Sequence, residues 1–227
     1  MNRNVKQKTV ILTVSVIALV LVASTLISLG LSNPLDLASV EIRQYEGLNL
    51  SSINDFRENS IKGPQYVDIG IYRLEVSGLV RNPGNFSYSE IIGAHQNYRK
   101  VVALSCVEGW DVTILWQGIL VKDLINDAGA LPNAKVVIFY AYDGYSTSFP
   151  IDYIVNNNIL MAYKMNNVTL PPERGFPFQL VAESKWGYKW IKWITRIELS
   201  NDTDFRGYWE SRGYTNDGDL SKYFLGG

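Results

Sequence analysis

The chain is poor in the residues that usually carry metal and nucleophile chemistry. Its 227 residues include one cysteine, Cys106, and one histidine, His95. A lone cysteine excludes an internal disulfide framework and the structural zinc sites that need two or more thiolates. A lone histidine leaves nothing for a histidine-rich metal centre and little for a Ser-His-Asp triad. Neither sign of charge is in excess: 21 basic and 22 acidic residues give a net charge of −1. That balance excludes the basic footprint of a nucleic-acid binder, and no long charge run marks a disordered tail. Internal repeats are absent. What is present is apolar: hydrophobic residues make up 47% of the chain, enough for a sizeable core in one domain with an appendage. Chemistry beyond carboxylates and lysines therefore has to centre on Cys106.

Residues 9–35 carry no charge, and residues 10–31 are almost entirely Ile, Leu, Val, Ala, Ser and Thr. A helix needs about 20 apolar residues to cross a bilayer. A cleaved signal peptide has a shorter apolar region of about 7–15 residues and a small-residue cleavage site. The pattern predicts an uncleaved, single-pass anchor over residues 1–36, a tether over 37–65, and a folded domain over 66–227. Arg3, Lys6 and Lys8 precede the apolar run, while Asp36 and Glu41 follow it. The basic excess favours a cytoplasmic N-terminus, which places the domain outside the cytoplasm. Asn49, Asn85, Asn167 and Asn201 each begin an Asn-x-Ser/Thr sequon, compatible with that placement.

Beyond the anchor, short strands outnumber helices. Tyr72, Leu74 and Val76 alternate with Arg73 and Glu75, the period of a half-buried strand. Asn82-Pro83-Gly84 signals a turn, and Ser87 with Glu90 forms a capping box for a short helix. Residues 101–104 read as a buried strand running into Cys106. Residues 118–130 read as a helix stopped by Gly129. Residues 135–141 and 145–149 flank the Asp143-Gly144 turn. Residues 159–165, 176–182 and 190–199 read as further strands. His95 reads as a surface or core residue. No long βαβ units occur, so the class is α+β, mixed sheets with short helices.

A lone cysteine, taken alone, reads equally as a small buried hydrophobe. Its neighbours narrow the choice. The run is Cys106-Val107-Glu108-Gly109-Trp110, followed by Trp116-Gln117-Gly118-Ile119-Leu120 and then Asp143-Gly144-Tyr145. Leu170-Pro171 leads to Gly175-Phe176-Pro177, then to Trp186-Gly187-Tyr188-Lys189 with Lys192-Trp193, and the pattern ends near Tyr208-Trp209 and Gly213-Tyr214. In this order these landmarks resemble the molybdopterin-binding domain of the sulfite oxidase family. They are most similar to the bacterial branch that includes the protein-methionine-sulfoxide reductase catalytic subunit. The resemblance implies a sulfite oxidase-type fold and a molybdenum-molybdopterin cofactor whose metal takes Cys106 as its protein thiolate. A soft thiolate suits such a metal.

The resemblance also implies that Gly187, Tyr188, Lys189 and Lys192 wrap the pterin, the lysines meeting its phosphate by charge-assisted hydrogen bonds. An edge strand with lysines on its wet face reads the same residues equally well. Arg174 stands where the family often has Asn or His, and Gln179 where it often has Arg; Arg174 is expected to hold pterin or a substrate anion, or to be solvated. Tyr145 is expected either to line the catalytic site or to pack in a strand. The sequence departs from the animal and plant sulfite oxidases, whose cysteine precedes an Asn-Arg-rich stretch. It also lacks the adjacent arginine pair of a folded-export signal. That leaves a relaxed signal, a cytoplasmic domain, or export without molybdenum.

Two functions follow. One is a membrane-anchored oxidoreductase that transfers an oxygen atom on a small oxyanion or sulfoxide-type substrate. Electrons would be exchanged with a haem- or quinone-linked partner subunit, since the chain has no haem motif and no second cysteine for an iron–sulfur centre. The other is a membrane-tethered binding or assembly module that keeps the fold without molybdenum.

Overall fold

Alternating apolar residues and a few glycine-dependent turns build the architecture. The computed structural model describes residues 40–226, so the anchor expected over residues 1–36 lies outside the described residues. Among the described residues, no helix is long and apolar enough to cross a membrane. The first hairpin pairs β1 (Gln44–Tyr45) with β2 (Leu48–Asn49). β3 (Leu74–Gly78) buries Leu74 and Val76, the alternation the sequence predicts. It turns through Asn82-Pro83-Gly84 into β4 (Gly84–Phe86). α1 (Tyr88–Ala94) starts on the Ser87–Glu90 capping box, which satisfies the exposed amides of its first turn.

β5 (Tyr98–Ser105) pairs antiparallel with β6 (Asp111–Leu120). α2 (Val121–Ala128) follows directly and stops on Gly129 in the left-handed region. The helix read from residue 118 thus begins at Val121, because residues 118–120 finish β6. Gly118 is required there: a Cβ would sit 2.2 Å from the Met161 carbonyl oxygen. β7 (Val136–Ala141) and β8 (Ser146–Pro150) form a hairpin over Asp143-Gly144. α3 (Ile151–Asn156), a helix too short to show a period, leads to β9 (Leu160–Met165), β10 (Val168–Thr169) and β11 (Gln179–Val181). β12 (Ile194–Ser200) closes the set.

One sheet runs β10-β9-β6-β5 with β11 also on β9, and the other runs β4-β3-β12-β7-β8. Only β3 with β12 is parallel among these pairs. A single buried cluster draws Leu74, Val76 and Ile197 from one sheet and Trp116, Ile119 and Leu180 from the other. The α+β class holds. Two expectations change. Residues 190–193 are not strand: a 3₁₀ turn (Gly187–Lys189) precedes them and Trp193 has φ +57°. Residues 41–63, read as part of a tether, are stitched to the domain. Ile42 N donates to Asn166 O (3.0 Å) and Ser51 N to Thr113 O (2.8 Å). Asn166 Nδ2 donates to Glu41 Oε1 and to Ser51 O.

Trp116 is 0% exposed. It packs at 5.7 Å from Trp190 and donates through Nε1 to Val102 O. Trp116→Ala is expected to cost about 3–5 kcal/mol, read as a lower urea midpoint in equilibrium unfolding.

Candidate active site

The period of β5 delivers the cysteine to the interior. Val102 and Leu104 are buried, and Cys106, two residues on, keeps the same face. A tight turn then reverses the chain. Cys106 N donates to Trp110 O (2.9 Å), and Gly109 N donates to Cys106 O (3.0 Å). Gly109, at φ +85°, takes the left-handed conformation that turn demands. Cys106 is 7% exposed and lies on the wall of a cleft of about 470 Å³. Asn59 Nδ2 points at its Sγ from 3.6 Å. Burial pushes the Cys106 thiol up, and the Glu108 backbone amide and Asn59 oppose this only in part. A metal cation at Sγ reverses that balance in favour of thiolate.

Against the cysteine lies the turn at Gly187–Lys189. Trp186 bridges Ser105 in parallel, and a Cβ on Gly187 would lie 3.2 Å from Ser105 O and 3.5 Å from Cys106 Cα. Glycine lets the turn approach that closely. Tyr188 lines the cleft beside it. Its hydroxyl bonds the Thr215 carbonyl (2.8 Å), and burial pushes it up to about 12.

The two lysines of this stretch part company. Lys189, expected at the phosphate, is 0% exposed and is not among the cleft-lining residues. Its Nζ donates to Glu210 Oε1 (2.6 Å), Ser148 O (2.8 Å) and Asn216 O (2.9 Å). Three donors meet three acceptors, so its side chain is committed inside the fold. Lys192 does line the cleft. Its Nζ donates to Glu58 Oε1 (2.6 Å) and Glu173 O (3.2 Å) and sits over the Trp193 ring. Burial lowers the affinity of both amines for their protons.

Arg174 lines the cleft too, but as a clamp. Its Nε donates to Ile53 O (3.0 Å), Nη1 to Arg57 O (3.2 Å) and Nη2 to Phe56 O (2.6 Å). The guanidinium stacks 3.8 Å from the Phe56 ring. The anion-binding role expected of Arg174 gives way to one of holding residues 53–57 across the cleft. Tyr145 also lines the cleft, and its hydroxyl is engaged by the Tyr188 carbonyl. Burial pushes that hydroxyl well above its ordinary range. It holds the Gly187–Lys189 turn in place. Gln179 is buried in the same wall, and His95 is far from it, bonded to Ile91 O and Asp127.

Sequence reasoning missed residues 56–63, which form one side of the cleft. Their mixed polarity carries no period. The contact of Asn59 with Cys106 spans 47 positions, a separation no local pattern reports. Ser60 adds a buried hydroxyl with no hydrogen-bond partner among the described residues, again on the cleft wall.

The sequence profile of a family described as an oxidoreductase molybdopterin-binding domain matches residues 61–209. The chain belongs to this family. It is 33% identical over 157 residues to an uncharacterized oxidoreductase, YuiH, of Bacillus subtilis, covering 69% of this chain and 78% of that protein. It is 31% identical over 145 residues to the protein-methionine-sulfoxide reductase catalytic subunit MsrP of Gluconobacter oxydans, covering 56% of this chain and 46% of MsrP. The sulfane dehydrogenase SoxCD of Paracoccus pantotrophus shares the fold, with a TM-score of 0.60 at 21% identity over 68% of this chain and 43% of that one. Molybdopterin-binding membership makes the protein an oxidoreductase of the sulfite oxidase-like type with a molybdenum-molybdopterin cofactor. The residues fit such a group. The cleft offers one soft thiol, a glycine turn lying on it, an amide aimed at the sulfur, and a buried hydroxyl without a partner.

The commitment of Lys189 has a measurable consequence. Lys189→Ala strands the buried Glu210 carboxylate, and the expected loss is about 3–5 kcal/mol, seen as a lowered urea midpoint. A loss below about 1 kcal/mol would mean the pair is solvated.

Proposed function

We propose that this protein reduces a neutral sulfoxide-type substrate at molybdenum, with Cys106 as the metal's protein ligand. The observation that carries the substrate reading is the state of the cleft's cations. Arg174 commits three of its five N–H donors to backbone carbonyls, and Lys192 is paired with Glu58. Glu108, Asp143 and Glu173 line the same cleft. The walls thus carry four carboxylates, Glu58 included, against three cations, Arg57, Arg174 and Lys192, so an oxyanion entering here would meet an excess of negative charge. Like charges at close range cost free energy, so a neutral S–O group is the better fit.

When bound, the cofactor supplies the redox couple and the oxygen-atom transfer. The chain's own residues do the rest. Asn59 donates toward the Cys106 sulfur and fixes its direction, as outer hydrogen bonds do for metal ligands. Gly187 and Tyr188 would present backbone to the pterin, and Tyr145 holds that backbone through the Tyr188 carbonyl. The Glu58–Lys192 pair and Arg174 keep residues 53–63 seated over the cleft. In the overall change the S–O bond breaks, sulfur gains two electrons, and oxygen leaves as water with two protons.

The electrons come one at a time from a partner, for which a haem- or quinone-linked membrane subunit is the fitting class. The relative named as a catalytic subunit supports a partnered arrangement. The apolar run of residues 9–35 supports a single-pass anchor with the domain outside the cytoplasm.

Full-length protein from a molybdenum-replete host is expected to hold about one molybdenum per chain, by elemental analysis. Cys106→Ser is expected to lose most of it while keeping the far-UV circular dichroism of the parent. With dithionite-reduced methyl viologen as donor, dimethyl sulfoxide is expected to turn over with kcat/KM at least about tenfold above that for nitrate. Faster nitrate reduction, or sulfite oxidation by the oxidised enzyme outrunning both, would overturn the sulfoxide reading.

A further inference from the structure

Beyond a neutral S–O group, the cleft has features that discriminate among sulfoxides. Phe56 and Trp110 lie on the wall beside Cys106, their ring centroids 5.7 Å apart and tilted by 36°. Both are fixed from behind. Trp110 closes the cysteine turn through Cys106 N to Trp110 O, so its position is tied to the sulfur by backbone. Its Nε1 donates to Glu108 Oε2 (3.2 Å), which anchors the indole edge. Phe56 is gripped by Arg174, which both bonds its carbonyl (2.6 Å) and stacks 3.8 Å over its ring.

A buried arginine used to hold one strap carbonyl would be routine. Here three of its bonds and its stacking face all go to residues 53–57. The outcome of that investment is a ring held in one place against a second ring. Three of the polar side chains nearby are otherwise occupied: Glu108 by Trp110, Lys192 by Glu58, and Asn59 by Cys106. The ring pair is thus the part of this wall left to contact a substrate's carbon substituent.

We infer that Phe56 and Trp110 form an apolar specificity wall that reads the group attached to the sulfinyl sulfur, favouring aryl or bulky alkyl sulfoxides over dimethyl sulfoxide. The inference rests on the sulfoxide reading of this site. Rings and sulfur attract each other, with sulfur typically about 5 Å from the ring, and an aromatic substituent adds offset or edge-on contact. The rings are preorganised by Arg174 and the cysteine turn, so little ordering accompanies binding.

The test compares methyl phenyl sulfoxide with dimethyl sulfoxide on the full-length holoenzyme, using reduced methyl viologen. The wild type is expected to prefer methyl phenyl sulfoxide. Trp110→Ala and Phe56→Ala are each expected to cut the kcat/KM ratio of the two substrates by about tenfold, mostly through KM. Trp110→Phe is expected to restore most of the ratio. Molybdenum content is measured on every variant. An unchanged ratio in a fully loaded Trp110→Ala enzyme would overturn the wall. So would loss of molybdenum from a folded Trp110→Ala protein, since the ring would then be holding the cofactor.

Calorimetric titration with methyl phenyl sulfide, the product, separates this inference from the reading beneath it. If neither sulfoxide turns over on loaded wild type, the sulfoxide function fails. Binding of the sulfide that weakens about tenfold in Trp110→Ala still supports the wall, and absence of binding overturns it.

Discussion

Everything on one side of the cleft depends on the grip of Arg174 on residues 53–57. That guanidinium meets three backbone carbonyls and a ring face. Beside it, the strap is held by the Glu58–Lys192 pair and, further off, by anchors at Glu41, Ser51 and Asn166. With it, Asn59 reaches the Cys106 sulfur, Glu58 reaches Lys192, and Phe56 meets Trp110. Arginine suits the task because its fork presents donors in several directions while its flat face stacks. Lysine offers a single point charge and could not do both. The adjoining Gly175 takes φ +97° with a hypothetical Cβ only 3.0 Å from Lys192 Cβ. Clamp and cleft lysine are thus packed as closely as the backbone allows.

The most deeply buried cation, Lys189, is taken out of water only together with its partner, Glu210. Lys189 and Glu210 are both fully buried, and Lys189 satisfies all three of its donors. Such a pair contributes little net stability against a well-packed apolar alternative, but breaking it is costly. Its value here is positional. It ties the Gly187–Lys189 turn to residues 210–216, while Tyr145 and Tyr188 tie the same turn to β8's hairpin and to Thr215. The turn that touches Cys106 is therefore held from three directions.

The frame of the fold and the delivery of Cys106 to the interior were legible in the sequence, because both rest on short-range physics. Alternation in residues 72–76 and 101–104 set strands and the face on which Cys106 emerges. Ser87, Glu90 and Gly129 marked helix ends by capping and by left-handed geometry. Gly187 was legible as a close-approach position. What failed were side-chain directions where two patterns coincide. Lys189 and Lys192 lie in a run that reads as an alternating strand, whereas the backbone is a 3₁₀ turn followed by an irregular stretch. The turn ends at Lys189 and the chain runs irregularly to Trp193 at φ +57°, so the strand period is lost, and Lys189 meets Glu210 while Lys192 meets the cleft. Residues 56–63 were illegible for a different reason: their order comes from partners more than a hundred positions away, such as Arg174 and Lys192.

The same distances explain why substrate chemistry was the hardest part to read. Counting arginines and lysines near the cysteine in sequence suggests an anion site, since Arg174, Lys189 and Lys192 all fall in the matching motifs. Charge acts through what remains unpaired. Lys189 is neutralised by Glu210 in the interior, Lys192 by Glu58, and the Arg174 donors are turned toward carbonyls. Each contact has a structural job, and the two ion pairs withdraw their lysines from the substrate. What is left beside Cys106 is an amide, two rings, carboxylates and the Arg57 guanidinium. A surface of that kind gains by excluding water from a neutral guest and contributes little to an anion. The strap that no local pattern could announce is thus also what shapes the polarity of the site, because its Glu58 pairs with Lys192 and its carbonyls fix the direction of Arg174.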